Sequence, residues 1–428
     1  MFSRQKKYLN FIPYNPKTLF ANWNIEFYKN YKFDDIASLD AAENNPIQFE
    51  VTKDVIIKTS KRLERSINLV VTAVGTGAIV DLIAKNLSIL EPFINSITLT
   101  DLKDIDLNRW KDINNSKIIL KKKIGDLLNY RFIKELSADM FYGNELFGDI
   151  PNRFIYKNNN KLYDIWVRAY SPNPLPQIVE EKVKIILSSI YYKNKFPEIF
   201  SPEIGKILRF DVAFKRRIFS REVEYYYKDY PNDSIFAISD ETYYILFYLY
   251  EQLKKGGTIL YHDYGFFSPA NLHLINNFLN PENENNHFIR NYYGEFTTEP
   301  SFDYAYGKLK NVVNDISIKK TLERVSEVTR IPKEIVNLDG DIRSSEFFIN
   351  LIQERLNIWK IQYNDNWHKI INNYIEDLNN KRSNIDETIS ILAQTLNIQD
   401  DNKILTIKKI LLGYFNDDDH RFLTIEIS

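Results

Sequence analysis

The sequence predicts a mainly parallel, doubly wound α/β sheet with helical additions, and three stretches predict it. Ile259-Leu260-Tyr261-His262-Asp263-Tyr264-Gly265, Gly143-Asn144-Glu145-Leu146-Phe147-Gly148-Asp149-Ile150-Pro151 and Gly75-Thr76-Gly77 each set a carboxylate or a glycine turn just after an apolar run. An open α/β sheet builds its ligand crevice at such strand ends. Three of them in chain order imply one shared site.

The elements follow in order. Residues 1–60 mix aromatic and polar residues without a clean period and are expected to form short helices, a cap over a site or a contact for a partner. Ile67 to Val74 is a β-type apolar run that meets the glycine turn, and Ile79, Val80, Leu82 and Ile83 then repeat at helical spacing. Further strands are expected at Ile97-Thr98-Leu99-Thr100 before Asp101, at Ile118-Ile119-Leu120 before Gly125-Asp126, and from Ser137 to Tyr142 before Asn144-Glu145. In Tyr170-Ser171-Pro172-Asn173-Pro174-Leu175-Pro176 alternate prolines remove donors and fix φ, which marks the start of an insertion over about residues 171–232, read as largely helical from 176. The core is expected to resume with Ile235-Phe236-Ala237-Ile238 and a helix through Tyr244, Leu246, Phe247 and Leu249. Lys255-Gly256-Gly257 then turns the chain into a strand from Thr258 to Tyr261. Beyond residue 270 come an Asn-rich loop (Asn276 to Asn286), amphipathic helices over about 344–396 and a closing strand Arg421 to Ile427. Strands alternating with helices argue for the parallel sheet. The chain thus divides into a cap segment 1–60, a core 61–270 carrying the insertion, and an extension 271–428 that returns a strand to the core.

Composition narrows the function. With 428 residues, 44% hydrophobic and 26% charged, the chain has an ordinary globular balance. A formal net charge of -1 provides no field to recruit nucleic acid or an anionic membrane, so a small or peptidic partner fits better. The absence of cysteine excludes disulfides, thiol nucleophiles and thiolate metal sites. The five histidines lack metal-site spacing. No signal-type start and no bilayer-length apolar run is present, which reads as cytoplasmic.

Gly75 and Gly77 would let backbone approach a ligand at the N-terminus of the following helix. Asp101, at the next strand end, is placed to accept both ribose hydroxyls of an adenosine cofactor, although a helix N-cap places an Asp there equally well. Asp126 could accept from the adenine amino group, or simply close a Gly-Asp turn. The set suits a nicotinamide dinucleotide or S-adenosyl-L-methionine. The dinucleotide fingerprint wants a third glycine to seat its pyrophosphate, and Ile79 follows Gly77-Ala78 instead. The methyl donor, which carries no phosphate, is therefore favoured. Glu145, Asp149 and Asp263 gather carboxylates at one sheet edge, suited to a planar guanidinium, while caps and surface turns account for such residues too. His262 could assist as a proton acceptor, but its alternation in a strand reads rather as a packed or solvated histidine.

These residues resemble the MidA-type family of S-adenosylmethionine-dependent methyltransferases, which includes the mitochondrial arginine methyltransferase of complex I assembly. Asn144-Glu145-Leu146-Phe147-Gly148-Asp149-Ile150-Pro151 is similar to the family's Asn-Glu-(Phe/Leu)-Phe-Asp-Ala-Leu-Pro segment, with Arg153-Phe154 and Trp166 following in order. Asp263-Tyr264-Gly265 resembles its Asp-Tyr-Gly, Ile238-Ser239-Asp240 its Val-Ser-Pro, and Glu295-Phe296-Thr297-Thr298 with Phe302 its Asp-Ile-Thr-Ala. Ser345-Glu346-Phe347-Phe348 and His420-Arg421-Phe422-Leu423 match as well, so the resemblance runs from about residue 67 to the C-terminus. Two positions depart: Ala73-Val74-Gly75-Thr76-Gly77 replaces Glu-x-Gly-x-Gly, and Gly148 displaces the carboxylate to Asp149.

The resemblance implies a class I methyltransferase core that binds S-adenosyl-L-methionine, releases S-adenosyl-L-homocysteine and methylates an arginine nitrogen of a peptide or protein. It implies catalytic roles for Glu145 and Asp263, with Asp149 in support, and cofactor binding by Gly75, Gly77, Asp101, Asp126 and Asn144. Assembly as a homodimer is compatible with it. A small-molecule O- or N-methyltransferase and a non-catalytic module that keeps the fold are the competing readings, and a dehydrogenase is a distant third.

Overall fold

The computed structural model describes residues 6–7, 12–13, 46–150, 152–171, 177–178, 180–181, 209–228, 230–265, 267, 289–292, 295–298, 300–330, 345–379, 384–411 and 422–428. The two short strands β1 (Lys6–Lys7) and β2 (Ile12–Pro13) precede one long helix, α1 (Pro46–Leu63), so the described part of the first 60 residues is not a set of short helices. The first strand–turn–helix unit is β3 (Ile67–Val71) and α2 (Ala78–Lys85), and the next strands are β4 (Ile94–Asp101), β5 (Ile119–Ile124) and β6 (Ala138–Asn144). Four strands follow: β7 (Arg153–Asn158), β8 (Lys161–Ser171), β9 (Arg209–Arg216) and β10 (Ser234–Ile238). Then come α3 (Asp240–Gln252), β11 (Leu253–Tyr264), the hairpin β12 (Ile289–Tyr292) and β13 (Glu295–Thr298), α4 (Phe302–Leu309), β14 (Ile316–Lys320) and α5 (Thr321–Thr329). Helices α6 (Ser345–Ile358), α7 (Asn366–Asn379), α8 (Ile385–Thr395) and α9 (Asp401–Leu411) precede the closing β15 (Phe422–Ile427).

The main sheet has seven strands in the order β14-β15-β11-β6-β3-β4-β5. All pairs are parallel except those of β15, which runs antiparallel to both β11 and β14. Its side chains alternate between two cores at strand period. Leu69, Val71, Met140, Tyr142 and Leu260 pack with α1, α2 and α5, whereas Val70, Phe141, Ile259 and Tyr261 pack with α3 and α4. With both faces covered, this is the expected doubly wound sheet, and its order with one antiparallel strand next to the β14 edge is that of the Rossmann-like methyltransferase fold. At the other edge β5, whose outer ladder is unpaired among the described residues, exposes Lys121 and Lys122, the usual defence of an edge strand.

Three expectations are corrected. Ile235–Ile238 does not rejoin the main sheet, since β10 pairs antiparallel with β7 in a second sheet built on β8, which also takes β1, β2 and β9. Every residue of β10 is buried, and a strand covered on both faces reads as an apolar run whichever sheet it joins. Residues 209–216 are strand within the stretch read as helical. Lys255-Gly256-Gly257 lies inside β11, where the register shifts between Leu253 and Thr258. A third core, with Trp367 fully buried, joins α6 to α9. The Asn-rich loop 276–286 lies outside the described residues. Among the described residues no helix is long and apolar enough to cross a membrane.

Candidate functional site

Strand order reverses between β3 and β6: the chain moves from β3 to β4 and β5 on one side, and from β6 to β11 on the other. Ligand crevices of open α/β sheets lie beyond the carboxyl ends of the strands at such a point. The predicted site residues stand on the two flanks of this reversal.

After β3 the backbone turns through positive φ at Ala73 (49°), Gly75 (54°) and Gly77 (80°). An alanine there is strained, and the glycines are not. The Gly75 N–H donates to Asp101 Oδ2 at 3.1 Å and the Lys103 N–H to Oδ1 at 3.2 Å, so Asp101 fastens the glycine turn to the end of β4. Burial raises the pKa of this carboxyl, and the N–H bonds from Gly75, Lys103 and Leu102 oppose the rise. Three N–H bonds leave the carboxylate room to accept from a ligand hydroxyl as well. Gly125 donates to the Asp101 carbonyl at 2.9 Å, and Asp126 Oδ1 accepts from the Leu128 N–H at 2.8 Å. Gly75, Asp101 and Asp126 are thereby brought to the ends of three adjacent strands.

Gly77 plays a different part. A Cβ on it would overlap Cζ2 of Trp110, whose indole N–H donates to Asp81 Oδ1 at 2.6 Å. Arg109 braces the same place, with bonds to Asp81 Oδ2 at 2.6 Å and to the Thr76 carbonyl at 2.5 Å. This glycine makes room for an indole.

After β6, Glu145 also has a positive φ of 47°, an uncommon state for a side-chain-bearing residue. Its N–H donates to the His262 carbonyl at 2.8 Å, and its Oε1 accepts from Asn144 Nδ2 at 3.3 Å. Asn144 Oδ1 in turn accepts from Gln48 Nε2 of α1 at 2.9 Å. Asp263, 1% exposed, accepts the Phe147 N–H at 2.5 Å, with further bonds from the Tyr264 and Leu146 N–H groups. Burial pushes its pKa well above the usual carboxylate range, and the charge of Asp149 adds to the rise. Its carboxyl therefore faces backbone and holds the turn that bears Glu145 and Asp149.

Beneath this turn, Tyr261 stands level with Gly143 in the parallel register, and a Cβ on Gly143 would fall inside the Tyr261 ring. The Tyr261 hydroxyl bonds Thr72 Oγ1, which donates to the Tyr142 carbonyl at 2.8 Å. Burial lifts the Tyr261 phenol far above its ordinary value, so it stays protonated. Of the packed and solvated readings of His262 the structure shows the packed one: its Nδ1 lies 2.9 Å from Thr424 Oγ1, and burial, with Arg324 nearby, lowers its pKa to about 3. Sequence reasoning missed Gln48, Thr72, Trp110 and Tyr261. The last had a usable signal, a glycine in one apolar strand facing an aromatic in the next. Gln48 had none, because it lies where no period is legible.

No family model matches the chain, and no curated protein matches it significantly in sequence. Among solved structures it is similar to an inferred methyl transferase from Burkholderia thailandensis bound to S-adenosyl-homocysteine, at 11% identity and TM-score 0.45 over 91% of this chain and 78% of that one. It is also similar to an uncharacterized protein of the same superfamily and organism, at 12% identity and TM-score 0.46 over 98% of this chain and 87% of the other.

Proposed function

We propose that this chain is an S-adenosyl-L-methionine-dependent methyltransferase that methylates a side-chain nitrogen of arginine in a peptide or protein. The observation that carries the reading is the pair of carboxylates at the reversal point: Asp101 against the glycine turn after β3, and Glu145 on strained backbone after β6.

The residues fit this cofactor. Asp101 suits a ribose diol and Asp126 an adenine amino group, while the Trp110 indole fills the space that a side chain on Gly77 would enter at the helix start. When bound, the cofactor supplies an electrophilic methyl group on a sulfonium. Catalysis of such an in-line displacement comes mainly from holding the nucleophile close and aligned. Glu145 does this by accepting guanidinium N–H bonds, and Asp149 adds charge on the same turn. Asp263 keeps the turn in place from below. Asn144 steadies Glu145 with its amide.

Calorimetric titration with S-adenosyl-L-homocysteine, with NAD as control, tests the reading. Micromolar affinity for the first alone is expected, followed by methylation of an arginine-containing peptide. A non-catalytic binding module is the second reading, favoured by strained Ala73 where the resembled family carries Glu. Failure of S-adenosyl-L-homocysteine to bind is the outcome it requires.

A further inference from the structure

We propose that Gln48, in the first turn of α1, is a positioning residue for Glu145, acting by setting which end of the Asn144 amide faces it. The functional part of this inference rests on the methyltransferase reading.

A carboxylate only accepts hydrogen bonds, so Asn144 must present Nδ2 to Glu145, as it does at 3.3 Å. Its Oδ1 then points the other way and needs a donor. Gln48 Nε2 supplies one at 2.9 Å in a buried contact, with Gln48 4% and Asn144 7% exposed. The direction of every bond in the row Gln48, Asn144, Glu145 is thus fixed by the charge at its end.

The seat of α1 explains how a residue 96 positions away in sequence reaches this point. At its far end Thr59 Oγ1 lies 2.9 Å from Thr258 Oγ1, and Arg62 Nη2 bonds the same hydroxyl at 2.5 Å and the Gly257 carbonyl at 3.1 Å. Eleven helical residues back to Gln48 span about 16 Å. The four strand steps from Thr258 to His262 span about 13 Å, which brings the helix start to within a few ångströms of the level of Asn144 and His262, a registered pair, a difference within reach of the Gln48 side chain. The lower bonds fix the level of the upper one.

Gln48→Glu reverses the row. The carboxylate this substitution introduces accepts and does not donate, so two carboxylates compete for one Nδ2, and the shorter contact, 2.9 Å to α1 against 3.3 Å to Glu145, turns Nδ2 toward α1 and Oδ1 toward Glu145. The test is nuclear magnetic resonance of the 15N-labelled full chain, following the Asn144 side-chain NH₂, assigned by its loss in Asn144→Asp. Glu145→Gln is expected to shift this resonance in the parent and to leave it unmoved in the Gln48→Glu background; an equal response in both backgrounds overturns the proposal. If Gln48→Glu does not fold, Gln48→Ala serves. Exchange of the Asn144 amide hydrogens at least tenfold faster than in the parent supports the proposal, and unchanged exchange overturns it. With an arginine peptide, Gln48→Glu is expected to lower kcat/KM at least tenfold and to change its pH profile. A parent that does not bind S-adenosyl-L-homocysteine overturns the methyltransferase reading, whereas the amide experiment still decides the relay.

Discussion

Glu145 combines a side chain that can bind a cation with a backbone held at a φ of 47°, and the surroundings must over-determine such a state for it to persist. Asn144, the His262 carbonyl and the Asp263-capped turn supply that constraint. Glu145→Gln keeps the shape and removes the charge. It is expected to lower kcat/KM for an arginine peptide by about 10²-fold with S-adenosyl-L-homocysteine affinity unchanged, because oriented charge contacts act mainly in the transition state. A loss below about tenfold would remove Glu145 from the clamp. Asp263 is a different kind of carboxylate. Its pKa is raised by burial, so the folded chain holds its proton to higher pH than the unfolded chain does. Its stabilising contribution is complete below the ordinary Asp value and is lost as pH rises through the folded value, by at most about 1.4 kcal/mol per pH unit. Urea midpoints measured from pH 4 to 8 should fall less steeply in Asp263→Asn than in the parent.

At the scale of elements, two glycines set the spacing of strands and helices around the crevice. Gly143 admits the Tyr261 ring between β6 and β11, and a methyl group there overlaps the ring. Gly143→Ala is expected to cost about 3 kcal/mol, the upper range of core overpacking, since both neighbours are inner strands with no free side to move toward. Denaturant titration measures the loss. Gly77→Ala adds a left-handed φ of 80° to a clash with Trp110 and should loosen the start of α2. Fluorescence of a protein with the other four tryptophans replaced would report it as a red shift of Trp110. Elements of this kind were largely legible in the sequence. β3, β4, β6 and β11 announce themselves by a local pattern, an apolar run ending in a polar turn, and that pattern alone marks Gly75, Asp101, Asn144, Glu145 and Asp263 at their ends. β10 was equally apolar but gave no clue to its sheet, because its partner β7 is fixed by long-range pairing.

For the whole molecule, the less legible part is what holds α1 over the sheet. Neither Gln48 nor Arg324 belongs to a motif, and their importance arises from tertiary neighbours that no period records. Arg324 of α5, 13% exposed, binds Glu426 of β15, Asp54 of α1 at 3.4 Å and Glu327 at 3.4 Å. Burial opposes its charge, but the bond to Glu426 and the charges of Glu426, Asp54 and Glu327 outweigh that and raise its pKa, so the guanidinium is charged at every pH the fold meets. Arg324→Met keeps the apolar stem and leaves Glu426 and Asp54 without their shared cation, which is expected to cost about 2 kcal/mol in denaturant titration. Because Asp54 lies six residues after Gln48 on α1, the same substitution should also reduce methylation of an arginine peptide several-fold. Glu145 itself is untouched, so the loss should fall on kcat/KM while S-adenosyl-L-homocysteine still binds. Full activity in a destabilised Arg324→Met protein would mean that the Gln48, Thr59 and Arg62 contacts place α1 without Arg324, and that the Arg324 network serves stability only.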